Sequence, residues 1–443
     1  MVCSTVVCGV TSTASASGFS VAHFAGEHGH PTTDNPTALY HNPAALRVTR
    51  AELFVDGLIG LRRATYSRTR QANDAQDVEG AEGANTGRAV LTNLLASPSL
   101  WLAVPLSSQL TLAAGVFTPF GGPINWDTRD DFAGSPYPGP VDGPQRFHAI
   151  EGLFTVSYGS LGGSYAIGRS GVRLGAAFNA MYTRIEDVRA WSAGSNGVAG
   201  EGRSLLEVDG FSWGFAGGVF YEAPGKRLRL GASYQSRPNV SGGMKLPGKL
   251  SNDIGGPSSA DVELHQDMPD VLRAGMAYQP EPSVELRLFG AWERWSAFER
   301  QCVGQAGEAC EILPDGSQPD GGHVLQNVER DFQDAFEARA GLSVWTSPAL
   351  ELFSGVGLMT EAVPDQTLET GLPDFFGVTF SLGAKAKLSD ALSVAGSLSH
   401  IVSPARDVQS ELSTLELPSR MPDATGHYTQ SVSYLNVNAA LRF

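Results

Sequence analysis

The chain has 443 residues and a formal net charge of −15, and only 17% of its residues are charged, well below the roughly 25% of an ordinary soluble domain. The acidic charge argues against nucleic acid as a partner, because phosphate binding needs clustered lysines and arginines. No run of about 18 apolar residues occurs, so the sequence predicts no transmembrane helix, and the remaining way to cross a bilayer is a closed β-barrel.

The first 16 residues, MVCSTVVCGVTSTASA, are small and apolar. They are expected to be the end of a signal peptide, because Ala14, Ser15 and Ala16 have the small-x-small form of a signal-peptidase site. The mature chain is then expected to begin at Ser17.

The segment DNPTALYHNPAAL, Asp34 to Leu46, contains two Asn-Pro dipeptides. Proline fixes φ, removes a hydrogen-bond donor and restricts the residue before it, which excludes a central strand. The segment is nevertheless too apolar for a loop that is only solvated. We therefore predict a compact double turn that another part of the chain encloses.

From Ala51 onward, apolar and polar residues alternate in segments about ten residues long, as expected of strands with one lipid face and one lumen face. In VELRLFGAWE, for example, Leu286 and Leu288 alternate with Glu285 and Arg287. The pattern predicts about fourteen strands, at residues 51–66, 97–106, 109–118, 146–158, 172–185, 210–221, 227–236, 271–279, 284–294, 335–345, 350–358, 375–386, 391–401 and 431–443.

The predicted connections alternate between two kinds. Long polar connections lie at 67–96, 119–145, 186–209, 237–270, 295–334, 359–374 and 402–430. Mostly short ones lie at 107–108, 159–171, 222–226, 280–283, 346–349 and 387–390. Long outer loops and short periplasmic turns are typical of outer-membrane barrels, and the last strand ends on an aromatic residue, Phe443. The fold class is therefore all-β, a transmembrane antiparallel β-barrel over residues 51–443.

Together these features resemble the FadL/TodX family of outer-membrane transporters for hydrophobic compounds. The segments that carry the resemblance are SGF (17–19), Asp34 with NPAAL (42–46), MPDVLRAGMAY (268–278), WERWSAF (292–298), RDFQDAFEARAGLSV (330–344) and PDFFGVTFSLGAKAKLSDALSV (373–394). The resemblance implies that residues 17–50 fold into the lumen as a hatch. The hatch and gating residues would be Ser17, Gly18, Phe19, Asp34, Asn42, Pro43 and Ala44.

Charged lumen-facing residues are natural partners for the polar groups of such a hatch, although they could equally pair across neighbouring strands. These residues are Glu52, Asp56, Glu285, Arg287, Arg339 and Arg442.

The resemblance also implies a function in the outer membrane of a Gram-negative bacterium. Long-chain fatty acids, or alternatively aromatic hydrocarbons, would enter from lipopolysaccharide, shift the hatch and leave sideways near a kinked third strand. In VFTPFGGPINW (116–126), the candidates for that lateral opening are Pro119, Gly121, Gly122 and Pro123. A Pro-Gly cluster also fits an ordinary turn, and both interpretations stay open.

Several other residues have candidate roles. Cys302 and Cys310 are expected to form a loop disulfide in an oxidising compartment. Trp292, Trp295 and Phe298 suit an interfacial aromatic girdle, while the resemblance would also let them contact ligand. Lys245 and Lys249 could contact a carboxylate.

The sequence predicts neither cofactor nor metal, because the irregular spacing of His23, His28, His30 and His41 matches no strong ligand pattern. A monomer that is not an enzyme is expected. An outer-membrane lipase is the rival of another class, but His148 and His400, predicted to lie on strands, have no evident nucleophile motif. A general polar porin is the other alternative, and a hatch argues against it.

Overall fold

The computed structural model describes residues 23–443 except 72, 73, 75, 76, 138, 193–197, 241, 242, 255, 314–316 and 410–421. The expected signal peptide and the candidates Ser17, Gly18 and Phe19 therefore lie outside the described residues.

Nineteen strands are described, and fourteen of them form the barrel wall. The wall strands are β1 Glu52–Arg68, β2 Gly87–Pro105, β3 Leu110–Asn125, β4 Glu151–Ala166, β5 Val172–Ser192, β6 Glu201–Glu222, β7 Leu228–Gln235, β10 Val271–Glu281, β11 Val284–Glu293, β14 Ala335–Ser347, β15 Leu350–Met359, β16 Gly377–Lys387, β17 Leu392–Val402 and β19 Gly426–Arg442. The other five are β8 Met244–Asn252, β9 Ser258–Gln266, β12 Arg300–Gln305, β13 Val324–Glu329 and β18 Arg406–Val408.

The wall strands pair antiparallel with their neighbours in chain order, and β1 pairs with β19 to close the ring. The closing ladder runs from Glu52 opposite Arg442 to Ser67 opposite His427. Closure leaves the wall without a free edge, which is what a spanning sheet requires. The predicted fourteen-stranded antiparallel barrel is confirmed.

The faces of the strands are reversed relative to a soluble protein. On β11, Leu286 and Leu288 are 47% and 55% exposed, whereas Glu285 and Arg287 are 8% and 3% exposed. Apolar side chains thus form the outer surface and charged ones the lumen, as alternation in a membrane barrel demands.

Several strand boundaries were predicted wrongly. Strand β3 ends at Asn125 rather than 118, and β19 begins at Gly426 rather than 431. Strand β2 begins at Gly87 rather than 97, β5 ends at Ser192 rather than 185, and β6 begins at Glu201 rather than 210. Strand β4 covers Glu151–Ala166 instead of 146–158, so the supposed longer turn at 159–171 is mostly strand.

The glycine and serine content of β4 explains the last error. Gly162 lies so close to the backbone of Ala176 that a Cβ would overlap it, and Ser164 Oγ donates a hydrogen bond of 2.5 Å to Leu46 O in the lumen. Small residues here mark close approach of another backbone rather than a turn.

The five additional strands lie in connections that were predicted to be long and polar, without strands of their own. β8 extends the ladder of β6, and β9, β12 and β13 follow in turn. Their inner faces carry Met244, Leu246, Val262, Leu264 and Val303, which join the main buried core. The outer loops therefore form a folded cover over the lumen.

Residues 23–50 lie inside the barrel and are called the hatch below. They contain one turn of α-helix, α1 (Ala38–His41), and short 3₁₀ helices at Gly26–His28 and Pro43–Ala45. None of the described helices is long and apolar enough to span a bilayer.

Candidate functional site

Asn42 ties the second Asn-Pro turn to the barrel wall. Its Oδ1 accepts a hydrogen bond from Ala44 N at 3.1 Å, and its Nδ2 donates to Pro31 O at 2.9 Å and to Val219 O of β6 at 3.1 Å. Pro43 begins the next 3₁₀ helix, where its missing N–H leaves no unmet donor. Asn42, Pro43 and Ala44 are all buried, so the segment is enclosed by the barrel.

Three glycines of the wall provide the space for this turn. A Cβ on Gly175 of β5 would overlap Ala44 N, and a Cβ on Gly231 of β7 would overlap Pro31 O. Between them, Gly218 of β6 lies equally close to the Asn42 side chain. The hatch thus rests directly on the backbone of three adjacent strands.

Asp34 has a less enclosed position, at the end of the barrel that carries the short turns. Its carboxylate lies 3.8 Å from Arg47, whose guanidinium binds Glu222 of β6 at 2.8 Å. Asp34 is more than half exposed, so this ion pair contributes little to seating the hatch.

Buried polar contacts anchor the first half of the hatch. Glu27 accepts hydrogen bonds of 2.5 Å from Arg339 of β14 and from Ser381 of β16. Asp56 of β1 accepts from Ala25 N at 3.0 Å. Breaking a buried pair by removing one partner is costly, so these contacts fix the position of the hatch.

Of the six lumen charges considered above, Asp56 and Arg339 contact the hatch. The others pair within the wall: Arg442 binds Glu52 at 2.6 Å, and Arg287 lies 3.4 Å from Glu285. Both interpretations of these charges were therefore partly correct.

The four hatch histidines form separate contacts, and the ring of His23 packs against that of Tyr434 with centroids 5.0 Å apart. His28 Nε2 lies 2.9 Å from Glu351 of β15, His30 Nδ1 lies 2.9 Å from Thr32 Oγ1, and His41 Nε2 lies 3.4 Å from Phe24 O. Among the described residues, no three His, Cys, Asp or Glu side chains are placed to hold a metal ion.

Burial keeps these histidines neutral at pH 7. It lowers the pKa of His23 and of His41 to about 3, helped by Arg339 near His23 and by Arg273 near His41. Burial also lowers the pKa of His30 well below its usual value, and that of His28 less, since Glu351 opposes the shift.

We expect acid to loosen the hatch. A released hatch would have histidines of ordinary pKa, near 6.5, so the seated state is fully favoured above that value and loses stability as the pH falls from 6.5 towards 3. The loss is at most about 1.4 kcal/mol per histidine and pH unit. Hydrogen–deuterium exchange, corrected for its intrinsic pH dependence, should show faster exchange of hatch peptides at pH 4.5 than at pH 7.5, with β1 and β19 as internal controls. Equal protection of the hatch at both values would contradict this.

The wall has a gap between β2 and β3. Their ladder runs only from Leu100 opposite Val116 to Pro105 opposite Thr111. Beyond it, residues 92–99 of β2 pair only with β1, and residues 117–125 of β3 pair only with β4.

The gap is framed at its far end and bridged by side chains. Asp127 N donates to Val90 O at 2.8 Å, and the adjacent residues Leu91 and Trp126 form an isolated antiparallel β-bridge. Across the opening, Asn93 Nδ2 donates to Pro123 O at 2.7 Å. Ser97 Oγ also donates to Thr118 O at 3.4 Å. Among described residues, backbone pairing is thus replaced here by side-chain contacts, which can open at lower cost.

The Pro-Gly cluster of β3 creates this gap. The register between β3 and β4 shifts between Phe117 and Phe120, and Pro119, Phe120 and Gly121 are buried in succession, which breaks the alternation. Gly121 has φ +124°, and a Cβ there would overlap Phe154 O, so only glycine fits. The cluster is therefore a kinked strand rather than an ordinary turn, while Gly122 and Pro123 line the cavity described next.

A cavity lies above the hatch and beside the gap. Apolar residues from β3, β4, β5, β6 and the outer loops form much of its lining: Ile124, Leu153, Phe154, Ile185, Leu206, Val303, Val328 and Leu372. Its mixed apolar and polar lining suits a small organic ligand.

Charged side chains complete the lining: Arg62, Glu151, Glu186, Asp187, Arg189, Arg330 and Glu369. Arg62 of β1 differs from Arg189 and Arg330, each of which forms an ion pair with a carboxylate. It is 2% exposed; its Nε donates to Gln430 Oε1 at 2.8 Å, and its Nη2 donates to Pro373 O at 2.9 Å. No described carboxylate forms an ion pair with it. Asp374 is close enough to act on Arg62 electrostatically, but its carboxylate accepts hydrogen bonds from the backbone amides of Ala362 and Val363 rather than from Arg62.

Sequence reasoning missed Arg62. The alternation of β1 did carry a signal, since Arg62 is in phase with the lumen-facing residue Asp56, while its neighbour Arg63 points outward. The sequence carries no sign that Arg62 lacks an ion-paired carboxylate, because the residues that contact Arg62 are more than 300 positions away in the chain.

An aromatic cluster joins the hatch to the gap. Phe24 of the hatch packs against Trp101 of β2 and Phe117 of β3, with ring centroids 5.4 Å and 5.2 Å away, and these two rings stack at 4.2 Å. Trp101 and Phe117 lie where the ladder between β2 and β3 ends. Movement of Phe24 would therefore alter packing at the edge of the gap.

The girdle interpretation was wrong for Trp295 and Phe298. Both are completely buried and form an interior cluster with Phe332, and Trp295 also contacts Phe120 of the kink, with centroids 6.4 Å apart. Trp292 is partly exposed, and its Nε1 donates to Asp334 at 2.9 Å.

Lys245 and Lys249 do not face the lumen. On β8 they alternate with buried Met244, Leu246 and Leu250, so both lysines are exposed on the outer face of the loop sheet. A carboxylate contact at these lysines would therefore lie on the outer surface of the loops, and it stays a prediction.

Cys302 of β12 and Cys310 form a disulfide with a Cα–Cα distance of 6.3 Å. It joins two residues of one outer loop, between wall strands β11 and β14.

His148 and His400 were the candidates for a lipase. His148 is not on a strand, since β4 begins at Glu151. Its Nδ1 lies 3.2 Å from Glu369 and its Nε2 lies 3.0 Å from Pro422 O, so both ring nitrogens are engaged. His400 Nδ1 lies 2.9 Å from Ser433 Oγ on the outer face of the barrel, and no described carboxylate orients its ring.

A family model described as outer membrane protein transport protein (OMPP1/FadL/TodX) matches residues 8–443. Among solved structures, a Pseudomonas aeruginosa FadL homologue has a TM-score of 0.76 at 16% identity, covering 98% of this chain and 99% of its own. The P. putida toluene transporter TodX has a TM-score of 0.65 at 16% identity, with coverages of 98% and 99%. The Ralstonia pickettii toluene transporter TbuX has a TM-score of 0.64 at 16% identity, with coverages of 97% and 99%. A search of curated proteins found no significant match.

Proposed function

The chain belongs to the FadL/TodX family of outer membrane transport proteins, and on that premise we propose that it takes up long-chain fatty acids. The fatty acid enters the cavity above the hatch, shifts the hatch, and leaves through the gap between β2 and β3 into the outer membrane. Toluene transporters occur among the similar structures, so an aromatic hydrocarbon is the alternative cargo.

Arg62 is the observation that favours a fatty acid. A buried guanidinium is expensive unless a negative charge compensates it, and the described residues supply only neutral acceptors to it. Its Nη1 donates to no described residue, and Arg62 lines the cavity. A carboxylate in the cavity would provide the missing charge, whereas toluene would not.

The charges below the hatch favour lateral release. A second cavity of about 1470 Å³ at the short-turn end of the barrel is lined by charged residues that include Arg47, Arg229, Glu285, Glu351 and Lys385. An apolar chain gains about 0.8 kcal/mol per buried methylene and would lose this in a polar vestibule. Passage from the upper cavity directly into the bilayer avoids the loss.

The hatch provides the coupling in this proposal. Phe24 contacts both strands at the edge of the gap, so a ligand that displaces the hatch also removes packing that holds β2 against β3. Asn42 and the glycines beneath it define the seated position.

Binding of a carboxylate and of its neutral analogues to Arg62→Gln tests the cargo. A hydrogen bond to a charged group contributes about 1.5–3 kcal/mol, so the variant should bind palmitate roughly 10- to 150-fold more weakly. Binding of palmityl alcohol and toluene should not change. Arg88→Gln, which alters an exposed arginine of β2, is the matched control.

The other outcomes identify the alternatives. Unchanged palmitate affinity in Arg62→Gln would overturn the proposed contact, and toluene binding tighter than palmitate would favour the aromatic cargo. Rapid swelling of sugar-loaded liposomes would indicate a general porin, and release of fatty acid from phospholipid would indicate a lipase.

A further inference from the structure

The lipid-facing surface of the barrel carries a groove of about 910 Å³. One side of it is a row of residues paired across five adjacent strands: Leu94, Leu61, Ser433, His400 and Phe380. The other side is the row formed by Ile59, Leu435, Leu398 and Leu382. Between the rows lie Ser381 and Ser399, which alternate with the outward-facing residues, so their backbone forms the floor of the groove while the Ser381 side chain points into the lumen.

The dimensions suit one extended acyl chain. The two rows are two residues apart along each strand, about 7 Å, and five strands span about 19 Å in the pairing direction. The walls are apolar and outward-facing, since Leu94, Leu398 and Leu382 are 69%, 65% and 68% exposed. The groove therefore has the width of a single chain.

One end of the groove opens at the gap. Leu94 lies within residues 92–99 of β2, the stretch that has no backbone partner on β3. A chain that passes through the gap to the outer surface would meet this end of the groove first.

The row that contains Leu61, Ser433 and His400 also carries polar groups and lies at the upper edge of the apolar band. His400 Nδ1 and Ser433 Oγ lie 2.9 Å apart, and the other ring nitrogen of His400 has no described partner. Arg63 follows Leu61 by two residues on the outer face of β1 and is exposed, without an ion pair among the described residues. The next row outward contains Arg63 and Ser431, so this level marks the transition from lipid tails to head groups.

We propose that this outer groove receives the fatty acid released through the gap, and that Arg63, His400 and Ser433 bind its carboxylate at the membrane surface. The inference rests on lateral release as proposed above and adds a second binding site, on the outside of the wall. A single-chain width distinguishes a free fatty acid from membrane lipids with several chains.

Photolabelling of the full-length protein in phosphatidylcholine nanodiscs tests the groove. The probe is palmitate with a diazirine in mid-chain, compared with the corresponding alcohol, and labelled peptides are measured by mass spectrometry. We expect palmitate to label β16, β17 and β19 severalfold more than an equally exposed control face around Leu288 and Phe336, which are both 55% exposed. The alcohol should show no such preference.

Two variants and one control separate this site from the lumen. Arg63→Gln combined with His400→Phe should abolish the preference for the groove without altering labelling of the cavity near Arg62, and Arg88→Gln should change neither. Equal labelling of both faces, or an unchanged preference in the double variant, would overturn the outer site. Loss of cavity labelling with retained, carboxylate-dependent groove labelling would instead overturn the proposed lumen contact alone.

Discussion

Replacing Gly175 with valine is expected to unseat the hatch while the barrel stays assembled. The position allows no Cβ, because Ala44 N of the hatch occupies that space, and β5 is fixed by ladders on both sides. The hatch is held by fewer contacts than the wall, so the hatch is the part that moves. Overpacking of this kind costs typically about 1–3 kcal/mol, enough to populate a displaced hatch.

Three measurements on Gly175→Val check this. Hatch peptides should exchange faster with deuterium, the hatch should become sensitive to protease, and fatty-acid uptake should fall, while heat-modifiable migration on gels is retained. Gly217→Val is the matched control, since a Cβ there would come no closer than 3.9 Å to other atoms. A variant with a protected hatch and unaltered uptake would show that the hatch is not seated through this contact.

The alternation on the wall strands could be predicted because it is local. The polarity of Leu286, Arg287 and Leu288 indicates directly which side of the strand each occupies. A shift of the strand register by one residue would place a charge in lipid. Closure of the barrel then follows from strand number and from the absence of any other way to satisfy the backbone in a membrane.

What could not be predicted depends on contacts between distant segments. Gly162 and Ser164 looked like a turn because their reason for being small, the approach of Ala176 and Leu46, is not visible locally. The loop that contains Lys245 was not recognised as a strand with two faces, because its strand partners β6 and β9 come from other segments.

In the candidate site, too, local features could be predicted from the sequence and features that depend on distant contacts could not. The Pro-Gly cluster of β3 was found because proline and glycine break a ladder wherever they occur. Arg62 was overlooked because its importance lies in what surrounds it: neutral acceptors where a buried cation would ordinarily meet a carboxylate.

Cross-linking the two sides of the gap is expected to stop transport while ligand binding persists. Asn93 and Pro123 lie on opposite sides of the opening and are joined by the amide of Asn93 at 2.7 Å. In the double variant Asn93→Cys with Pro123→Cys, a short bis-methanethiosulfonate reagent would replace that breakable contact by a covalent one. Both residues are buried on the lumen side of the wall, so the bridge lies across the inner mouth of the gap.

The reversibility of this bridge separates a blocked route from a damaged protein. Uptake of labelled palmitate by proteoliposomes should fall to the level of protein-free vesicles after cross-linking and recover when reductant cleaves the bridge. Each single variant treated with the reagent, and the unaltered protein treated with reductant, control for modification and for loss of the Cys302–Cys310 disulfide. Because the cavity and Arg62 remain intact, palmitate should still bind to the cross-linked form. If the bridged protein transported palmitate at its original rate, the cargo would have to leave by another path, and the polar vestibule beneath the hatch would be the route to examine next.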